Sequence, residues 1–85
     1  MEIKEAMNLV KKEFKKIFGE EISDIRLEEA NLSEESSVFN LTVSFRIPVE
    51  GEGLATVLSG AKRLYKKVTI DKKEKKITSI NMYNA

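Results

Sequence analysis

Between Lys62 and Lys76 the chain carries eight cations, Lys62, Arg63, Lys66, Lys67, Lys72, Lys73, Lys75 and Lys76, against two carboxylates, Asp71 and Glu74. Positive charge at that density neutralises phosphates. The chemistry on offer is therefore contact with an anionic partner such as RNA or DNA, led by Lys62, Arg63, Lys66 and Lys67. Tyr65 is the single aromatic residue inside the run, and Tyr83 follows it. Sheet-based RNA readers instead set stacked aromatics on a glycine-flanked strand, a signature this stretch lacks. The plainer alternative is a solvated sheet face and turn, whose lysines also discourage pairing along an edge. Glu20 to Glu35 has the opposite sign, with seven carboxylates against Arg26 alone. The chain is thus a charge dipole with a formal net charge of only +1, which gives no general attraction to nucleic acid or to a membrane surface.

Other chemistries are narrowed by what is missing. The sequence contains no histidine, the side chain most used for proton transfer near neutral pH and the commonest transition-metal ligand. It contains no cysteine, which excludes disulfides and thiolate metal sites and agrees with a reducing compartment. Glu28, Glu29, Glu34 and Glu35 lack the alternating Asp/Asn positions and turn glycine of an oxygen-ligand cage, so no metal is expected. Gly51, Gly53 and Gly60 lie in EGEGLATVLSGAKR, which has neither phosphate-loop spacing and precedes a strand where such loops precede a helix. No cofactor and no catalytic residue are expected. An enzyme here would have to work with Asp, Glu, Lys, Tyr or Ser alone.

One further stretch invites a partner. Val49 to Gly60 is longer than a hairpin loop needs and carries Leu54, Ala55, Val57 and Leu58. Leu54, Val57 and Leu58 read as an adaptable apolar lid offered to another protein, with Tyr65, Lys66 and Lys67 on the neighbouring sheet completing the contact. The alternative is that these residues tuck against the end of the sheet as core.

The elements that must position these residues follow from periodicity. In VFNLTVSFRI, Phe39, Leu41, Val43, Phe45 and Ile47 alternate with Val38, Asn40, Thr42, Ser44 and Arg46, the pattern of a strand with one apolar and one mostly polar face. Pro48 closes it, having no N–H to donate. Met1 to Phe18 carries apolar residues at Ile3, Ala6, Met7, Val10, Phe14, Ile17 and Phe18, one stripe of a helix, with lysines crowding its end and Gly19 as the cap. A strand is expected from about Asp24 to Asn31. Its imperfect alternation suggests a bulge, and a polar turn at Ser33 to Ser37 makes a hairpin with the next strand. Ala61 to Asp71 reads as a third strand, with Leu64, Val68 and Ile70 on one face, Tyr65, Lys67 and Thr69 on the other, and Lys66 as the misfit. A charged turn follows, then a fourth strand at Ile77 to Tyr83 with Ile80 and Met82 inward and Ile77 ambiguous.

The stretch LYKKVTIDKKEKKITSI, Leu64 to Ile80, resembles the end of PepSY-like domains, where a tyrosine-bearing strand runs through an aspartate and a short polar turn into a closing strand. Tyr65, Asp71, Ile77 and Ile80 occupy the corresponding positions, while Lys75 or its neighbours stand where the turn glycine is usual. The resemblance implies a small non-catalytic module that acts by binding.

The expected structure is a single α+β domain, 1–85, in two layers, with an N-terminal helix packed on a four-stranded antiparallel β-meander. The expected work is binding another protein as an adaptor, inhibitor or regulatory subunit, with a homodimer through a strand edge as a further possibility and nucleic acid as the alternative partner. No run is long and apolar enough to span a bilayer, and the lysine-studded N-terminus has no apolar signal core, so a cytoplasmic protein without membrane contact is expected.

Overall fold

A computed structural model describes residues 1–31, 33–48 and 61–83, with residues 48, 61 and 62 described by backbone alone. It contains α1 (Ile3–Phe18), β1 (Ser23–Asn31), β2 (Val38–Pro48), β3 (Ala61–Asp71) and β4 (Lys76–Met82), in that order. The strands form one antiparallel sheet ordered β1-β2-β3-β4, with the helix on one face, the α+β two-layer arrangement expected.

The helix begins where the Glu2 amide donates to the Glu5 carboxylate at 3.4 Å, and it ends at Gly19, whose N–H donates to the Lys15 carbonyl at 3.0 Å. Gly19 has φ 108°, a conformation in which a Cβ is strained, so the cap requires glycine. Ala6, Val10 and Phe14 are buried against the sheet. Ile17, part of the expected stripe, is instead 55% exposed, while Leu9 packs partly against the core. The cause is lateral position: Ile17 lies beside Ile77 and Ile80 of β4, where the sheet ends and gives the helix nothing further to cover.

The core is built on the alternation of β2. Phe39, Leu41, Val43 and Phe45 are buried on the helix side, and the β3 register places Ile70, Val68, Lys66 and Leu64 opposite them in turn. Phe45 meets Phe14 edge-to-face, with ring centroids 5.4 Å apart, and lies 4.9 Å from the Phe18 ring. Lys66 therefore sits on the helix side, opposite Val43, with its ammonium 5.8 Å from the centre of the Phe18 ring. A lysine fits there because its aliphatic stem covers apolar surface while its charge reaches past the end of the helix.

β1 carries the expected irregularity twice, with register shifts between Ser23 and Arg26 and between Leu27 and Glu29. At the first of these Asp24 has φ 49°, a left-handed conformation that aspartate tolerates better than most residues. A third shift, between Thr69 and Ile70, sets Ile77 opposite Ile70 on the helix side and settles its face. The β3–β4 turn is closed by Asp71, whose carboxylate accepts the amides of Lys73 at 2.9 Å and Glu74 at 2.7 Å. Lys75, with φ 55°, takes the left-handed position usually given to glycine.

Candidate functional site: the uncovered face of the sheet

The second face of the sheet is made by the residues between those of the core. Asn40, Thr42, Ser44 and Arg46 come from β2, and Thr69, Lys67, Tyr65 and Arg63 stand opposite them on β3. β4 adds Ser79 and Asn81, and β1 adds Glu29 and Arg26. Among the described residues no second layer packs over this face.

Part of its floor is nevertheless buried, at Thr42 and Ser44. Ser44 is wholly buried, and its Oγ accepts a hydrogen bond from Arg63 Nη1 at 2.7 Å while donating one to Glu28 Oε1 at 2.6 Å. Arg63 also donates to the Asp24 carbonyl at 3.1 Å and forms an ion pair with the Asp24 carboxylate, which receives Arg26 Nε at 3.0 Å as well. This chain of partners runs from Glu28 through Ser44 and Arg63 to Asp24 and ties β1, β2 and β3 together above the backbone. The hydrogen bond from Arg26, with the charges of Arg26 and Arg63, holds the Asp24 carboxyl below the usual carboxylate range. Ser44 is no nucleophile in this setting, because its oxygen has no exposed surface and both of its hydrogen-bonding roles are filled.

Beyond that network the face becomes aromatic. Tyr65 and Tyr83 lie with ring centroids 5.8 Å apart and are 42% and 38% exposed, and Lys67 holds its ammonium 5.8 Å from the centre of the Tyr83 ring. Next to them a shallow depression of about 290 Å³ is lined by polar side chains that include Asn40, Thr42, Lys67, Thr69 and Asn81. Two phenols, an ammonium and a row of amides and hydroxyls offer hydrogen bonds and ring faces on this surface. Among the described residues no group of three or more metal-ligating side chains converges.

The expected site residues are dispersed by the fold. Tyr65 and Lys67 share the uncovered face, but Lys66 is on the helix side, so the three do not form one contact surface. Arg63 is on the uncovered face yet bound to Asp24 and Ser44, and Lys62 is placed by its backbone alone, opposite Ile47. Lys72 donates to the carbonyls of Ser33 at 2.9 Å and Ser36 at 2.8 Å, and Lys75 pairs with Glu5 at 3.6 Å. The basic run is therefore not one stripe. Leu54, Val57 and Leu58 lie outside the described residues. Tyr83, Arg46 and Ser44 are not among the expected site residues, although the alternation of β2 assigns Arg46 and Ser44 to this face.

No family model, curated protein or solved structure matches the chain.

No helix among the described residues is long and apolar enough to cross a membrane.

Proposed function

We propose that this chain is a small non-catalytic module that binds another protein on the uncovered face of its sheet, centred on Tyr65 and Tyr83. The observation that carries the proposal is the exposed tyrosine pair beside Lys67, set on a sheet whose floor is already hydrogen-bonded through the Glu28–Ser44–Arg63–Asp24 network. Tyrosine supplies large contact area with a polar tip and loses little side-chain freedom, which is why it recurs at the energetic centre of protein interfaces. A pre-ordered floor lowers the ordering cost of association. The chain has no histidine or cysteine, and the resemblance of Leu64 to Ile80 to the end of PepSY-like domains points to binding as well. A cytoplasmic setting fits the cysteine-free sequence.

The alternative is a single-stranded nucleic acid stacked on Tyr65 and Tyr83, with Lys67 and Arg46 near its phosphates, since stacking on an open sheet uses the same residue types. The dispersal of Lys66, Lys72 and Lys75 favours the protein partner. The two readings separate in a pull-down from lysate of the native host at about 50 mM and about 200 mM salt, comparing the wild-type chain with Tyr65→Ala and Tyr83→Ala. A protein retained at the higher salt by the wild type and lost by both variants supports the proposal. Nucleic acid retained only at the lower salt supports the alternative, and a partner held equally by all three chains removes the tyrosine face from both.

A further inference from the structure

We infer that copies of this chain join head to tail through the two edges of the sheet, the β4 edge of one copy pairing with the β1 edge of the next. Among the described residues β1 and β4 each have one neighbouring strand, so each presents a row of unpaired backbone N–H and C=O groups. In a four-stranded meander β1 and β4 run in opposite directions. A second copy moved sideways without reversal therefore brings its β1 antiparallel to β4 of the first, and the meander continues with every helix on the same side.

The apolar layer continues with it. Met82, 74% exposed, and Ile17, 55% exposed, mark the β4 side of the helix-facing layer, and Leu27, 38% exposed, marks the β1 side. Among the described residues nothing covers either margin.

Charge decides which pairing of edges is favourable. At the turn end of the sheet Glu34 and Glu35 follow β1, and Lys73 and Lys76 precede and open β4, all four exposed. Head-to-tail contact sets the two carboxylates against the two ammonium groups. In the helix layer the groove beside β1 is lined by Lys11, Lys12, Lys15 and Asp24, and Glu13 in the groove beside β4 already pairs with Lys16 at 3.6 Å, so the charges that distinguish the two edges are those at the turn end. A two-fold contact through either edge alone is antiparallel, so it sets the turn end of one copy against the opposite end of the other and brings Glu34 and Glu35 to neither Lys73 nor Lys76. A head-to-tail contact does not use up its own surfaces, and association is open-ended unless the copies close into a ring.

The test is sedimentation of the full chain from about 10 µM to about 1 mM at low salt, together with two charge-reversed variants, one carrying Lys73→Glu and Lys76→Glu, the other Glu34→Lys and Glu35→Lys. All four positions are exposed, and circular dichroism checks that both variants fold. The expected result is a wild-type mass that rises with concentration, variants that each remain monomeric, and an equimolar mixture of the two that associates again. Recovery on mixing is particular to a contact between unlike edges. A wild type that stays monomeric throughout overturns the inference, as does association of either variant alone at wild-type strength or a mixture that remains monomeric.

Discussion

Lys66 and Lys67 are consecutive in sequence and leave β3 on opposite faces: the Lys66 ammonium lies 5.8 Å from the Phe18 ring on the helix side, and the Lys67 ammonium lies 5.8 Å from the Tyr83 ring on the uncovered side. A basic patch in the sequence thus becomes two unrelated cations in space, one belonging to the margin of the core and the other to the candidate binding surface. Period-two geometry is the whole cause.

Reversal of the two lysines should accordingly have different consequences. Lys66→Glu loses the contact with Phe18 and lowers the stability of the fold by about 0.5–1 kcal/mol. Lys67→Glu gives up the corresponding contact with Tyr83 at an exposed position, so it costs less stability and weakens partner binding. Urea denaturation of both variants checks the first statement, and equal loss of stability would show that the faces are not energetically distinct.

Ser44 is the junction of the polar network, donating to Glu28 and accepting from Arg63. Ser44→Ala removes both bonds and leaves an arginine N–H facing a methyl group, at a cost of about 1–3 kcal/mol. The same substitution at half-buried Ser79, whose hydroxyl only accepts a long 3.4 Å bond from the exposed Asn81 amide, should cost far less. The comparison is a pair of denaturant midpoints, and similar values would mean that the network adds no stability.

Asp24 gives the fold a pH dependence of known sign. Its carboxyl titrates below the usual range because Arg26 donates to it and the charges of Arg26 and Arg63 favour the ionised form. A group whose folded-state pKa is depressed stabilises the fold above the ordinary aspartate value of about 3.9, and the contribution disappears as pH falls through the depressed value. Asp24→Asn keeps a residue that tolerates φ 49° but removes the charge. Wild type should be more stable than this variant near neutrality, and the gap should close in acid. A gap that stays constant between about pH 7 and about pH 2 would contradict the assignment.

Lys75 holds a left-handed backbone conformation with a side chain that pays for it in strain. Lys75→Gly should raise stability by up to about 1 kcal/mol, since the exposed pairing with Glu5 that it gives up contributes little. Thermal melts of the two chains decide it, and a lower melting temperature for the glycine variant would show that the Glu5 contact outweighs the strain.

Much of this architecture was legible because β2 alternates without interruption. Phe39 to Ile47 fixed one face for the helix, and Gly19, Pro48 and Asp71 marked ends that the structure keeps. The bulge in β1 was foreseeable from its broken alternation, but its doubling was not, because a shift in register depends on the partner strand as much as on the strand itself. Ile17 is exposed although it belongs to the apolar stripe, because a helical stripe says which side of a helix is apolar and not where the sheet beneath it ends. The candidate surface was only partly visible. Summed charge from Lys62 to Lys76 suggested one basic patch, whereas long-range partners, Asp24 for Arg63 and the carbonyls of Ser33 and Ser36 for Lys72, take several of those cations out of it.

The most direct test of the tyrosine face uses the composition of the chain itself. Tyr65 and Tyr83 are its two tyrosines, and both stand on the uncovered face, so fluorotyrosine-labelled protein gives fluorine NMR signals from that face alone. Adding the partner recovered from the host should shift or broaden both resonances as the complex forms. A complex that forms while both resonances stay unchanged would show that binding takes place elsewhere on the molecule.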